Sequence, residues 1–261
     1  MERLREQLAW LHEHHGLVGI KGGTEVEAQT FDEIWLMRRL SDKIVPLTVK
    51  IGGPEARNDI EFMLATGVDC ILAPMVESPY SMRNFVSTMA TLDRTGQAEL
   101  AVNIETITAW RNLDDIFDSP AFDSIAQITV GRSDLSGSMG LEVDDDEVSR
   151  VTRDIISAAR LRGKRTSVGG QVTTENARLV QDTLGAHCIN TRHMLVSLSS
   201  GDASANIAAA LLWEREYYNF CKKHFPTRSS FYRSRIASIE ERIAAGEADC
   251  PLITGLALTG T

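Results

Sequence analysis

What most constrains the fold of this chain is an alternation. From residue 17 onward, short apolar runs and amphipathic stretches follow one another seven times. "LVGIKGG" precedes "TFDEIWLMRRLSD", "IVPLTVKIGG" precedes "PEARNDIEFMLATG", and "VDCILAPMVE" precedes "SPYSMRNFVSTMATLDRTG". "ELAVNIE", "SIAQITVGRSD", "RTSVGGQV" and "AHCINTRHML" continue the series, each with a helical stretch behind it. The short runs read as apolar on both faces, as strands do in a parallel sheet covered by helices. The longer ones carry apolar residues three and four apart, such as Ile34, Leu36, Met37 and Leu40. Several of them stop at glycine (Gly67, Gly96, Gly163, Gly185), the residue that most easily takes the left-handed conformation ending a helix. No linker or shift in composition divides the series. The expected architecture is α/β, a single domain over residues 1–261 folded as a TIM (β/α)8 barrel rather than a doubly wound sheet.

Seven units leave the barrel one strand short, and closure is what removes the exposed edges. The apolar tail "CPLITGLALTGT" is the candidate for the eighth strand. Residues 251–259 would then insert beside the first strand, either of this barrel or of a neighbouring subunit. The alternative is a tail packed outside the barrel.

Composition narrows the partners. A net charge of −9 argues against a general binder of nucleic acid or of anionic membranes. The four cysteines lack metal-type spacing, and no run reaches the ~20 apolar residues of a membrane span. The N-terminal stretch reads as a charged amphipathic helix without a signal-peptide core, so a cytoplasmic location is expected. The "HEHH" group (His12, His14, His15) and the acidic "EVDDDEV" read as solvated helix ends. In "LLWEREYYNF", Trp213, Tyr217 and Phe220 read as core or interface residues.

A barrel of this kind keeps its active site at the C-terminal ends of the strands. Those ends carry Lys21 and Glu25, Lys50, Glu77, Glu105, Arg132 with Asp134, Gln171, and Asn190 with Arg192. Glu105 and Asp134 belong to adjacent strands, and two carboxylates at one mouth repel unless a cation separates them. Oxygen-only ligation by two side chains suits Mg²⁺ or Mn²⁺. The competing reading has one carboxylate capping a helix and the other paired with Arg132. The "GRSDLS" stretch reads as a glycine- and serine-rich turn whose main-chain donors could frame a carboxylate. That makes Gly131, Arg132 and Ser133 candidate substrate contacts. Gln171, in "VGGQV", sits where glycines let a substrate approach the backbone.

Three of these stretches carry a resemblance. "APMVES", "NIET" followed by "AWRNLDDIF", and "VGRSDLSGSMG" resemble the HpcH/HpaI aldolases and citrate lyase β-subunit-like proteins among the phosphoenolpyruvate/pyruvate-binding barrels. The likeness runs from about Gly16 to about Leu211. It implies a divalent metal on Glu105 and Asp134, and a carbon–carbon lyase that works on a pyruvate-like 2-oxo acid through a metal-stabilised enolate. It also implies a homo-oligomer, a trimer or hexamer. Related barrels use acyl-thioester substrates in citrate lyase-like or citrate synthase-like reactions. A non-catalytic 2-oxo-acid-binding barrel is a third reading.

Two positions depart from the family pattern. Lys50 stands where the family carries an arginine on the substrate's oxygens, keeping the charge without the bidentate fork. The loop "IKGGTEVEA" lacks the family's histidine and offers Lys21, Glu25 and Glu27. Glu25 is the candidate general base or further metal ligand, and Lys50 the candidate catalytic cation, with a Schiff base on Lys50 or Lys21 as the covalent alternative. The tail "IEERIAAGEADCPLITGLALTGT" resembles the family's opening helix and strand, which suggests a circular permutation.

Overall fold

The computed structural model describes residues 1–244. Eight strands close into one barrel in chain order: β1 (Leu17–Gly23), β2 (Leu47–Lys50), β3 (Cys70–Ala73), β4 (Glu99–Asn103), β5 (Gln127–Gly131), β6 (Arg165–Gly169), β7 (Cys188–Asn190) and β8 (Met194–Ser197). Neighbours from β1 to β7 pair in parallel. β8 runs antiparallel to both β7 and β1.

The eighth strand is thus the second half of a run that reads as one strand in sequence. Thr191 closes a tight turn: its N–H donates to the Met194 carbonyl (3.0 Å), and its hydroxyl accepts from the Met194 amide (3.0 Å). β7 climbs to the mouth, residues 191–193 turn there, and β8 descends until Ser197 N–H meets the Gly16 carbonyl (2.8 Å). The barrel is therefore complete among the described strands. Residues 251–259 lie outside the described residues.

The helices are α1 (Glu2–His14), α2 (Phe31–Ser41), α3 (Arg57–Thr66), α4 (Pro79–Leu92), α5 (Ile107–Arg111), α6 (Leu113–Phe117), α7 (Arg132–Met139), α8 (Asp146–Leu161), α9 (Asn176–Thr183), α10 (Ala203–His224) and α11 (Ser229–Ala244). Local chemistry sets several starts. Thr30 and Ser78 form reciprocal capping boxes, with Pro79 at the first position of α4. The segment expected as an open turn, "RSDLSGSM", is α7, a two-turn helix stopped by Gly140 at φ +69°. Leu135 is buried and anchors it, which outweighs the weak helix propensity of its serines and glycine.

Outward-facing strand residues such as Val49, Ile71, Val102, Ile128, Val130 and Val168 join the helices in one apolar core. Inside the ring the picture differs from the sequence expectation. One side holds a small apolar cluster of Cys70, Leu72 and Ala101. The other is polar, with Thr129 and Ser167 hydroxyls 2.8 Å apart and Asn190 Nδ2 donating to Ser167 Oγ (3.2 Å). Of these, Thr129 and Asn190 line the space at the mouth, where a ligand can use them.

The last two helices complete the site. α10 starts low on the barrel, where Asn206 meets His15 (3.0 Å), and rises until Tyr217 receives a hydrogen bond from Gln29 (3.1 Å). Trp213 and Tyr217 are buried in the core and Phe220 packs against it. α11 then crosses over the mouth. Arg235 donates to the Val26 carbonyl in the β1–α2 loop (2.8 Å), and Arg242 donates to the Val172 carbonyl after β6 (2.7 Å).

Candidate active site

Under α11 lies a cavity of about 250 Å³. Its floor is built from strand ends, including Lys50, Asn103, Glu105, Thr129 and Asn190, and Asp134 and Ser133 form one wall. Gly131 and Gln171 also line it. Six of the eight candidate site residues read from the sequence thus share one space: Lys50, Gly131, Ser133, Gln171, Glu105 and Asp134.

Glu105 is buried at 1% exposure, and both its oxygens are occupied. Oε1 accepts from the Met75 amide (3.0 Å) and Oε2 from Asn103 Nδ2 (2.6 Å). Gly131 is what makes room for it, because a Cβ there would lie 2.5 Å from Glu105 Oε2. Burial, opposed by Lys50 and reinforced by Asp134, pushes the Glu105 carboxyl up to about 7. Asp134, exposed in the first turn of α7, supplies the second carboxylate.

Lys50 is buried and ion-paired to Glu25. Burial alone would favour the neutral amine, but Glu105, Glu27 and Glu25 outweigh it and hold Lys50 above the ordinary lysine value. It is therefore a fixed cation. A Schiff base needs the neutral amine, so this environment disfavours that covalent route.

Glu25 does not line the cavity; it meets Lys50 from the solvent side with about a third of its side chain exposed. The carboxylate that does line it is Glu27, buried and 3.6 Å from Lys21. A turn bond from Ala28 N–H to the Glu25 carbonyl (2.9 Å), with Ala28 at φ +50°, folds Glu27 inward. Glu27 Oε2 is buried without a hydrogen-bond partner among the described residues. Its burial opposes ionisation, yet Lys21, Lys50 and a backbone amide outweigh that and keep it below the usual carboxylate range.

Arg132 also has another place. Its guanidinium contacts Asp144 (3.2 Å) and the Gly170 carbonyl (3.0 Å), bracing α7 against the β6 loop rather than lining the cavity. Gly170, at φ +96°, is pressed onto the start of α7: a Cβ would fall 2.5 Å from the Ser133 amide. None of the chain's 6 histidines lines the cavity. His193 lies behind it, with Nδ1 on the Lys21 carbonyl (2.8 Å) and Nε2 on the Tyr218 hydroxyl (2.6 Å). Since the carbonyl can only accept, Nδ1 carries the proton, and His193 serves to fix the strand that bears Lys21.

The residues suit a hard divalent cation. The carboxylate and hydroxyl groups offer oxygen ligands, Gly131 forms a cradle around Glu105, and Asp134 disfavours the charge on Glu105 without a cation between them. Among the described residues no group of three or more His, Cys, Asp or Glu side chains could hold a metal unaided. An ion here would keep waters or take substrate oxygens, as Mg²⁺ does.

Fold and site together define an α/β-barrel protein with an acidic, lysine-flanked cavity at the strands' C-terminal mouth. The model of the HpcH/HpaI aldolase/citrate lyase family matches residues 48–178, and the chain belongs to that family. The match spans β2 to α9, so it includes Lys50, Glu105 and Asp134 but not Glu27 or α11. Among solved structures, the chain is similar to an HpcH/HpaI aldolase/citrate lyase family protein from Burkholderia cenocepacia J2315, at 16% identity, TM-score 0.57, covering 70% of this chain and 81% of that one. It is similar to the HpcH/HpaI aldolase from Desulfitobacterium hafniense DCB-2, at 18% identity, TM-score 0.57, covering 71% and 80%. The citrate synthase SbnG matches at 16% identity and TM-score 0.54, over 70% and 89% of the two chains. At these identities the structures speak for the fold. A search of curated proteins finds no match. No described helix is long and apolar enough to cross a membrane.

Proposed function

We propose that this protein is a divalent-metal-dependent carbon–carbon lyase that cleaves or forms aldol bonds of a pyruvate-like 2-oxo acid. The observation that carries the reading is the sharing of one cavity by Glu105, Asp134 and the cation of Lys50. Family membership supports the reaction class.

Glu105 and Asp134 would hold Mg²⁺ or Mn²⁺. Bound there, the ion supplies Lewis-acid stabilisation of the negative charge that develops on the 2-oxo oxygen. Lys50, kept protonated by its three carboxylate neighbours, adds a fixed positive charge at the same end of the cavity without reorganising during the reaction. Retro-aldol cleavage also requires a base for the substrate hydroxyl. Glu27 fills the role that sequence assigned to Glu25, since it lines the cavity, is ionised, and has an oxygen without a partner among the described residues. α11 contributes Ser238 and Arg242 to the cavity lining above these groups.

The test is hydrogen–deuterium exchange at the pyruvate methyl group, followed by NMR with Mg²⁺ or Mn²⁺ and again with chelator. Exchange that needs the metal and vanishes in Glu105→Gln is the expected result. Metal binding without exchange would move the assignment to an acyl-thioester substrate. Absence of both would make the barrel a binding protein.

A further inference from the structure

Glu27 reaches the cavity through a sharp turn of its loop, and that turn is gripped from the far end of the chain. Three peptide units around Glu27 decide where its side chain goes. The middle one is held within the loop, where Ala28 N–H donates to the Glu25 carbonyl (2.9 Å). The outer two are held by arginines 209 and 200 residues farther on. Arg235, on α11, donates to the Val26 carbonyl (2.8 Å). Arg228, in the short turn before α11, donates to the Ala28 carbonyl (2.6 Å).

Ala28 sits at φ +50°, a region that a β-carbon disfavours. Such a residue keeps its conformation where its surroundings over-determine it. Arg228 is well placed to do so, because its other terminal nitrogen meets the buried carboxylate of Glu33 on α2. Glu33 is itself fixed, accepting from the Tyr232 hydroxyl (2.8 Å) and the Thr30 amide (2.8 Å). The guanidinium fork thus spans a rigid helix and the strained loop. α11 has apolar anchors of its own in Tyr232 and Ile239, both buried in the core. The two carbonyl contacts therefore serve the loop more than they serve the docking of the helix.

We propose that Arg228 and Arg235 are positioning residues that hold the backbone on either side of Glu27 so that its carboxylate faces the substrate. This rests on the reading of Glu27 as the base. Neither arginine lines the cavity, so each acts through the loop and not on the substrate.

The experiment pairs kinetics with amide exchange. The probe reaction is cleavage of the aldol of pyruvate with acetaldehyde, in the presence of Mn²⁺. In Arg228→Met and Arg235→Met kcat should fall by about 10²-fold, as a misplaced catalytic group implies, with KM and Mn²⁺ affinity little changed. Arg235→Lys offers an ammonium to the Val26 carbonyl and should regain part of the loss. Arg228→Lys keeps a charge for Glu33 but lacks the second arm, so it should remain impaired even where Arg228→Met fails to fold. Arg233→Met is the control: it removes an equal charge from an exposed position on α11 whose side chain bonds Ser229 (3.1 Å), and it should leave kcat unchanged.

Hydrogen exchange of the Ala28 and Gln29 amides reports on the loop itself. Both are bonded within it, to the carbonyls of Glu25 (2.9 Å) and Gly23 (3.0 Å). In Arg228→Lys and Arg235→Met they should exchange about tenfold faster or more, as loss of one charge-assisted hydrogen bond implies, while the barrel strands keep their protection. Unchanged protection, or lost protection with kcat intact, would overturn the proposal. Should wild type neither cleave the probe nor exchange the pyruvate methyl group, the aldolase reading fails. Amide exchange then decides alone whether the arginines order the loop.

Discussion

Gly131 and Glu105 are fitted to each other: the carboxylate occupies the space that any side chain at 131 would need, with Oε2 2.5 Å from where a Cβ would stand. The glycine ends β5 and the glutamate follows β4, so the contact fixes the carboxylate across the seam between two strands. Glu105 has nowhere to retreat, since Asn103 and Met75 already hold its other contacts.

Gly131→Ala should therefore act as a site mutation although it adds one methyl group. Overpacking costs about 1–3 kcal/mol of stability, and a carboxylate displaced by about 1 Å costs ~10²-fold in rate. The expectation is a modest fall in Tm with a large loss of pyruvate exchange and of Mn²⁺ affinity. A fall in Tm with exchange and affinity both intact would show that the Gly131 contact serves packing alone.

The raised carboxyl of Glu105 makes a stability prediction with a definite sign. Its folded value of about 7 exceeds the ordinary carboxylate value, so the folded state binds the proton more tightly. That contribution is fully present below about pH 4.5 and is lost as the pH rises through 7. Wild type in chelator should lose ~3 kcal/mol relative to Glu105→Gln between pH 4.5 and 8. Urea unfolding at the two pH values measures it. Mg²⁺ or Mn²⁺ should restore the loss at pH 8 in wild type and not in the variant, and equal pH dependence of the two proteins would contradict the assignment.

The environment of Lys50 predicts what it does not do. Three carboxylates keep it charged, so borohydride added with pyruvate should leave the protein mass unchanged. Lys50→Arg should retain more activity than Lys50→Ala, because it preserves the charge. Lys50 also opposes the rise of the Glu105 carboxyl, so in chelator Lys50→Ala should move the Glu105 titration, read by urea unfolding against pH, to higher pH. A reduced adduct of pyruvate on Lys50 would reverse this account.

Much of this was legible beforehand, for physical reasons that differ by element. The alternation of apolar runs and amphipathic stretches gives the barrel, and strand ends in chain order give Lys50, Glu105 and Asp134. The β7–β8 hairpin was hidden because "CINTRHMLVS" has no glycine or proline to mark its turn; Thr191 closes it with backbone and hydroxyl bonds. α7 was hidden because glycine and serine read as a turn, whereas packing of Leu135 decides for helix. Arg242 depends on where α11 lands, which no local pattern states. Glu25 and Glu27 sit two residues apart in one loop, and only the backbone at Ala28 determines which faces inward.

That last distinction can be tested directly. Glu27 is in the cavity and its partners hold it ionised well into the acid range, while Glu25 stands outside and pairs with Lys50. Glu27→Gln keeps the size and removes the base, so aldol cleavage should fall by ~10²–10⁴-fold. Glu25→Gln should fall far less, through the weaker hold on Lys50. The pH profile separates the base from the metal carboxylate. Glu27 stays deprotonated in the neutral range, so at subsaturating metal the acid limb reflects protons competing with the ion for Glu105 and should survive in the residual activity of Glu27→Gln. If that limb disappears with Glu27, or if Glu25→Gln is the more damaging change, the proton acceptor is not Glu27.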